Sequence, residues 1–379
     1  MTQTIDFIFV SNTSWYIWNF RINLIKELIN KNYSILVVAP KDNYSDLIVN
    51  TGCKFVEWDL NRSSINPILE IKSLIKIYKI YKKYNPRLVH HFTIKSCLYG
   101  SLAAKIINKS YVFNSITGLG HLFINNKIKH QILRKLVLPI YRYALDYKNS
   151  KIIFQNQNNA NLYKKFLLAK DKNLEIIYGS GINTNFFSPL DKKKSFNKKP
   201  IILFSGRIIK EKGIIELLKA CSILWDKGHN FTLKIVGDFD NGNRSSITKK
   251  ALEKYIKNKN YVIFTGLIRD MKSIYSEADV VVLPSWGEGL SRTLLEASAM
   301  ECPIITSNVS GCNDIVKHGI NGFLVPAKDE KSLSLSIEFF LRNQSFSKEL
   351  GTNARKNVIE RFDEDLIIKK TIGLYEKIK

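Results

Sequence analysis

Residues 280–326 read VVVLPSWGEGLSRTLLEASAMECPIITSNVSGCNDIVKHGINGFLVP, and the order of features along this stretch decides the fold. The apolar run from Val280 to Leu283 has the length and β-branched content of a buried parallel strand, and Pro284, which has no amide for the ladder, stops it. A loop follows. In it Gly287 and Gly289 permit a sharp turn or a close approach to a ligand, and Ser291 is placed to cap a helical run that ends near Met300. A helix N-terminus fed by a glycine-rich loop at the carboxyl end of a parallel strand is an anion site, suited here to a phosphate. Two carboxylates punctuate the unit, Glu288 in the loop and Glu296 in the helix. Eight residues of helix span roughly 12 Å, too far for a carboxylate pair flanking one glycosidic bond, so a hydrolase of that kind is disfavoured. Either the two glutamates contact different parts of one extended ligand, or they are ordinary solvated carboxylates; spacing alone leaves both open.

The whole run, P-S-x-x-E-G-x-x-x-x-x-L-E-A followed by P-I-I-T-S and G-x-N-G-F-L-V-P, resembles glycosyltransferase family 4. The resemblance implies an α/β protein of the GT-B fold, with two Rossmann-like parallel-sheet domains facing across a cleft. It implies transfer of a sugar from a nucleotide donor with retention of anomeric configuration. Glu288 would then meet the donor sugar, Glu296 would hold the ribose hydroxyls, and the amides of Gly289, Leu290 and Ser291 would hold the distal phosphate.

A chain of 379 residues suggests about two domains, each able to bury a real core. A hydrophobic fraction of 45% rules out a disordered chain, and no apolar run reaches the roughly 18 residues that span a bilayer. The N-terminal MTQTIDFIFVSN reads as a first strand and not as a signal peptide, so the expected location is the cytoplasm. Cys53, Cys97, Cys221, Cys302 and Cys312 show neither zinc spacing nor a disulfide framework and read as reduced residues. The formal net charge of +25 reflects either abundant lysine throughout or attraction to an anionic membrane surface.

Taken in order, strand-like runs at 5–10, 35–39, 54–57, 87–91, 111–115, 151–154 and 174–177 alternate with amphipathic stretches, the pattern of a doubly wound parallel sheet. Residues 181–200 lose periodicity and gain charge, which marks a linker. A second alternating series carries strands IILFSG, FTLKIVG, YVIFTG, DVVVLP and PIIT. The expected division is an N-terminal acceptor-binding domain over 1–185, with a helix at 363–379 packing back on it by analogy with the family, and a nucleotide-sugar-binding domain over 186–362. No G-x-G-x-x-G follows any strand, so a dinucleotide cofactor has no support.

FSGRIIKEKG, residues 204–213, delivers Arg207 and Lys212 to the end of a strand, where two cations cover a diphosphate; it matches the family's G-R-x-x-x-x-K-G. By the same resemblance the backbone near Leu267 and Ile268 meets the nucleotide base. Asp238 and Asp240 form a D-x-D triplet, the kind that elsewhere binds metal, but turn chemistry explains it here and no metal is expected. After the first strand Asn12, Thr13 and Ser14 occupy a turn where the family often has a glycine pair, and they are suited to capping the next helix. Asn19-Phe20-Arg21 is similar to bacterial members that build lipid-linked polysaccharides; Arg21 either binds an acceptor diphosphate or makes a surface salt bridge. H-F-T-I-K-S resembles the family segment that contacts acceptor or donor phosphate, which makes Lys95 a phosphate candidate, with His90 and His91 either functional or satisfied strand-end residues. Thr117 and Gly118 lie in a T-G-L-G segment similar to polysaccharide-building members; many relatives carry histidine where Thr117 falls, and His121 is a nearby alternative.

Two basic amphipathic stretches stand out. At 68–84, Lys72, Lys76, Lys79 and Lys83 share one helical face while Ile68, Ile71, Ile75 and Tyr78 line another; the simpler reading is a solvated outer helix. At 130–148, Leu133, Leu136, Val137, Leu138 and Ile140 sit beside Arg134, Lys135 and Arg142, the better membrane candidate, with Pro139 kinking it. The reading that unites these features is a metal-independent, retaining hexosyltransferase. It would move an N-acetylhexosamine or hexose from a UDP-sugar to a polyprenyl-diphosphate-linked saccharide for capsule, O-antigen or glycan assembly, on the cytoplasmic face of the inner membrane. A UDP-sugar epimerase of the same fold and a silent nucleotide-sugar sensor are the alternatives. No nucleic-acid module is recognisable.

Overall fold

The computed structural model describes residues 4–61, 66–117, 128–166, 168, 171–190, 199–240, 245–256 and 259–377, with backbone alone at 128–130, 132, 133, 136 and 171. Contacts divide the chain into two compact units, 1–180 with 368–379, and 181–367.

The first unit is built on seven strands, β1 Phe7–Val10, β2 Ile35–Ala39, β3 Lys54–Glu57, β4 Leu88–Phe92, β5 Tyr111–Ile116, β6 Ser150–Phe154 and β7 Leu174–Ile176. They lie in the order β3-β2-β1-β4-β5-β6-β7, and every pairing is parallel. β1, β2 and β4 are buried along their whole length, as expected of strands covered on both faces. Ile8, Val10, Leu36, Val38, Val89 and Val112 pack with Trp58, Ile77 and Tyr81 in one layer of the core. A second cluster joins Cys97, Ile116, Ile152, Phe154 and Tyr163 to Tyr141 and Leu145.

The second unit has six parallel strands, β8 Ile201–Ser205, β9 Thr232–Val236, β10 Val262–Gly266, β11 Val280–Leu283, β12 Ile304–Ser307 and β13 Phe323–Val325. Their order is β10-β9-β8-β11-β12-β13. Counted from its own first strand this is 3-2-1-4-5-6, the dinucleotide-fold order, and the chain reverses direction between β8 and β11. In the first unit the reversal falls between β1 and β4. Ligands of open parallel sheets bind beyond the carboxyl ends of the strands that flank such a point.

Part of the stretch expected to be a linker is packed: Ile182 and Phe187 are buried, and Thr184 donates to Asp363 Oδ2 at 2.6 Å. The helix Glu364–Glu376 begins in the second unit and ends in the first. There Tyr375 stacks its ring among Phe7, His90 and Phe113. All five cysteines are buried and free. Among the described residues no helix is long and apolar enough to cross a membrane, and no group of three His, Cys, Asp or Glu side chains is placed to hold a metal ion.

The two basic amphipathic helices divide differently between core and surface, and Ile140 of the second stays 50% exposed. In Ile128–Leu145, Val137 and Leu138 pack on the core beside buried Tyr141 and Leu145, and Arg142 donates to the Phe166 carbonyl. The apolar cluster was assigned outward because its neighbours are basic, but the core of the sheet claims its central residues. The side chains of Leu133 and Leu136 lie outside the described set. In Pro67–Tyr84 the buried face is Ser73, Ile77, Ile80 and Tyr81, which leaves Ile68, Ile71 and Ile75 pointing outward.

Candidate functional site

The reversal point of the second sheet brings together two loops that are far apart in sequence. β8 and β11 are hydrogen-bonded neighbours, with Val280 opposite Ile202, so the loop after each strand opens at the same edge. Gly213, at φ +73°, sits directly under the Pro284 carbonyl, where a side chain would collide with backbone. The Glu211 carbonyl then accepts from the Trp286 amide at 2.8 Å and from Ser285 Oγ at 2.9 Å, stitching the loops together. The consequence is one short ion pair: Lys212 Nζ donates to Glu288 Oε1 at 2.5 Å, with the side chains only 18% and 11% exposed. Glu288 is fixed from behind as well. Its amide donates to the Ser310 carbonyl at 3.1 Å, and the bare face of Gly311 lies against its backbone.

Glu296 lies in the helix Arg292–Ala299 that follows. Its Oε2 accepts from the Tyr275 hydroxyl at 3.1 Å and its Oε1 from Arg292 Nε at 2.8 Å. Tyr275 is fully buried, and burial first, then the Glu296 charge, hold its phenol well above the ordinary value. It therefore stays protonated and keeps donating. Ser291 occupies the N-cap position, but its side chain makes no capping bond, contrary to the expectation from its residue type. The helix is tied down instead by Thr293 Oγ1, which donates to the Ser205 carbonyl at the end of β8 at 3.1 Å. Gly289, Leu290 and Ser291 form the approach to this helix.

Arg207 leaves the end of β8 and pairs with Asp240 beyond β9, its Nη1 lying 2.8 Å from Oδ2. Asp238, the first carboxylate of the triplet, accepts from the amide of Phe239, as its turn chemistry suggests. Ile268 follows β10 half-buried, beside the exposed Leu267. The structure thus joins Lys212 to Glu288, Glu296 to Arg292 and Tyr275, and Arg207 to Asp240. Sequence reasoning did not find Tyr275, Ser310 or Asp240 in these roles. Arg292 had a signal, its spacing of four from Glu296 on a helix; Tyr275 had none.

In the first unit Arg21 is buried to 5% exposure, which removes the surface salt bridge from consideration. Its guanidinium lies 4.7 Å from the centre of the Phe92 ring and donates to the Gly179 carbonyl at 3.2 Å and to the Tyr16 hydroxyl at 3.1 Å. Its Nε has no partner among the described residues. Arg21, His90, Ser115, Gln155, Gly179 and Thr371 line a cavity beside the carboxyl ends of β4, β5 and β6. His90 bonds the Tyr375 hydroxyl through Nδ1 and Ser115 Oγ through Nε2 at 2.8 Å. His91 Nδ1 donates to Asn114 Oδ1 at 2.8 Å and its Nε2 accepts from the Tyr81 hydroxyl at 2.7 Å. Burial keeps both rings neutral, His90 well below its ordinary value and His91 down to about 4. They are satisfied strand-end residues.

Lys95 donates to Glu70 Oε1 at 2.8 Å and to the Asn61 carbonyl at 3.0 Å. Just before it Thr93 has φ +74°, a backbone conformation that costs a β-branched residue of the order of 1–3 kcal/mol and tends to persist at functional loops. In the turn after β1, Thr13 caps the next helix by accepting from the Tyr16 amide at 3.1 Å. Ser14 is buried and donates to the Pro40 carbonyl at 2.6 Å, while Asn12 is half-buried beside it. Thr117 closes β5 half-buried; Gly118 and His121 lie outside the described residues.

Residues 188–357 match the family described as glycosyl transferases group 1, and residues 7–156 match the glycosyl transferase 4-like family. An N,N'-diacetylbacillosaminyl-diphospho-undecaprenol alpha-1,3-N-acetylgalactosaminyltransferase of Campylobacter jejuni is 29% identical over 380 residues, covering 98% of each chain. A capsular polysaccharide biosynthesis glycosyltransferase of Staphylococcus aureus is 28% identical over 331 residues, covering 81% of this chain and 80% of its own. Among solved structures, a glycosyltransferase of Rickettsia africae superposes with a TM-score of 0.80 at 20% identity, covering 99% of this chain and 98% of its own. The Anabaena protein HepE, solved in complex with UDP and glucose, superposes with a TM-score of 0.78 at 18% identity, covering 98% of this chain and 99% of its own. The family matches take in nearly all of both sheets, and the strand orders are those of the paired Rossmann-like architecture. The chain belongs to the group 1, family-4-like glycosyltransferases of the GT-B fold.

Proposed function

We propose that this glycosyltransferase moves an N-acetylhexosamine or a hexose from a UDP-sugar to a polyprenyl-diphosphate-linked saccharide, with retention and without a metal ion. The observation that carries the reading is the Lys212–Glu288 pair at the reversal point of the second sheet. A cation for the leaving diphosphate and a carboxylate for the donor sugar are held in contact by the two stitched loops. In this reading Arg207 and Lys212 neutralise the charge that develops on the departing nucleoside diphosphate, the largest electrostatic demand of the reaction. The amides of Gly289, Leu290 and Ser291 meet the distal phosphate, Glu296 accepts from the ribose hydroxyls, and the backbone at Ile268 meets the base. Tyr275 and Arg292 keep the Glu296 carboxylate turned for that task.

The acceptor hydroxyl oxygen bonds to the anomeric carbon on the face the diphosphate leaves, and the bond from that carbon to the phosphate oxygen breaks. The proton passes to the same phosphate oxygen, so no protein nucleophile is needed. We assign the acceptor to the first unit. Arg21, buried and bonded to neutral groups among the described residues, supports an acceptor diphosphate there, with Asn12 and Ser14 after β1, Lys95 after β4 and Thr117 after β5 as further candidates and Gly118 a candidate by the resemblance alone. The names of the relatives from C. jejuni and of an Escherichia coli galactosyltransferase, 24% identical over 325 residues, specify undecaprenyl-diphosphate acceptors for those enzymes and support the same class here. Such an acceptor supports a position at the cytoplasmic face of an anionic membrane for this enzyme.

A mass-resolved transfer assay tests the proposal, using a panel of UDP- and GDP-sugars and diphosphate-linked lipid saccharides, with and without a chelator. The expected result is one defined mass gain from a UDP-sugar that survives the chelator. Lys212→Ala and Glu288→Gln should each lower turnover by roughly 10²–10³-fold. Full activity in either variant, or isomerisation of the UDP-sugar with no transfer, overturns the reading.

A further inference from the structure

The helix Pro67–Tyr84 carries an outward face that the first unit does not use. Ile68, Ile71 and Ile75 are 65%, 57% and 47% exposed, three large aliphatic side chains on the first two and a half turns of one element. Exposed lysines share that face: Lys72, Lys79, Lys82 and Lys83. At 100° per residue, Ile68, Ile71 and Ile75 form one stripe, and Lys72, Lys79 and Lys83 form the next stripe round, while Ser73, Ile77, Ile80 and Tyr81 point to the opposite side, into the core. The helix is therefore secured by its inner face, and its outer face is free to meet something apolar and negatively charged together.

We infer that this face lies on an anionic lipid bilayer, the isoleucines entering the boundary between headgroups and acyl chains and the lysines meeting phosphate headgroups. The inference rests on the lipid-linked acceptor proposed above and names the element that brings the enzyme to it. Two features select a bilayer over a second copy of the chain. A symmetric dimer through this face would bring two copies of the same lysine-bearing surface together, in a protein whose net charge is already +25. An anionic surface instead attracts every one of them. The patch also adjoins the acceptor end of the first unit. Glu70, on the same turns of the helix, takes Lys95 Nζ at 2.8 Å and the Tyr99 hydroxyl, both from the helix Ile94–Ile107 that opens at the carboxyl end of β4. A lipid-linked substrate rising from the bilayer beside the isoleucines would emerge at the edge where Arg21 and Thr93 sit.

Vesicle flotation of the full chain tests this, with phosphatidylglycerol in phosphatidylcholine against phosphatidylcholine alone. The wild type should float with the anionic vesicles and not with the neutral ones, and added salt should weaken the binding. The variants Ile71→Glu/Ile75→Glu and Lys72→Glu/Lys79→Glu should each lower the partition coefficient roughly tenfold or more, as the loss of two surface contacts implies. Both should melt as the wild type does and keep transfer to a short-chain, water-soluble acceptor, while losing transfer to the same saccharide on a long-chain lipid in vesicles. Equal flotation of wild type and variants overturns the inference, as does a concentration-dependent wild-type dimer that Ile71→Glu/Ile75→Glu dissolves. If no acceptor is glycosylated and flotation still depends on this face, the proposed reaction fails and the docking surface stands.

Discussion

Lys212 and Glu288 are 76 residues apart in the chain and meet because two strands, apolar but for Ser205 at the end of β8, pair side by side. Each was visible in the sequence as a charge beside a glycine in a strand-end loop, since loops at a sheet edge are where chemistry collects. What holds them was not visible. The Tyr275 hydroxyl that orients Glu296 comes from the helix Met271–Glu277 and the Asp240 carboxylate that holds Arg207 from the loop after β9, and their use follows from three-dimensional adjacency alone. The two histidines of β4 show the opposite case, a suggestive pair that the core absorbs. His91 is fully buried and bonded at both nitrogens, and burial brings it from 6.5 to about 4. The unfolded ring takes up a proton as pH falls below 6.5 and the folded ring does not until about 4, so its contribution is complete above 6.5 and is lost on the way down to 4. The loss amounts to about 3 kcal/mol. Urea unfolding at about pH 7 and about pH 5 should therefore fall less steeply in His91→Gln than in the wild type. An unchanged slope would remove His91 from the account.

At the scale of elements, the strands were readable because a strand buried on both faces is a continuous apolar run bounded by a breaker. Helices were readable as periodic stretches, but which face turns inward was not. In 68–84 two faces compete, one isoleucine-rich and one lysine-rich, and the decision falls to a third made of Ser73, Ile77, Ile80 and Tyr81. The helix Ile94–Ile107 is positioned by the absence of a side chain. Gly100 is buried against the ring of His91, and a Cβ there would enter the imidazole itself. Alanine is the better helix former by about 1 kcal/mol, yet Gly100→Ala should destabilise the protein by about 2–3 kcal/mol, because the bonded ring has nowhere to go. Chemical denaturation of Gly100→Ala in the wild-type and His91→Ala backgrounds checks the mechanism. Most of the cost should vanish when the ring is gone; an equal cost in both would place the strain elsewhere.

For the whole molecule, the readable part was the pair of alternating series; the packing of 181–190 was not, since these residues look like a linker and yet Ile182 and Phe187 are buried in the second unit. The last helix repays the visit by closing the first unit's core: Tyr375 packs its ring 5.3 Å from Phe7 and 5.1 Å from Phe113, and its hydroxyl bonds His90 Nδ1. Tyr375→Ala should cost about 3 kcal/mol or more through the cavity and the stranded histidine nitrogen. Amide exchange should quicken across residues 4–180 and stay unchanged in 181–367; faster exchange in the second stretch alone would refute the assignment. The same crossing sets an order for synthesis. The ribosome delivers residues 181–367 as one uninterrupted unit that can close as soon as it emerges, whereas the unit begun first stays open at Phe7, His90 and Phe113 until residues 368–379 arrive. A nascent chain interrupted before residue 368 would thus carry a finished second unit and an exposed aromatic seam on the first, and the unit that folds last is the one begun first.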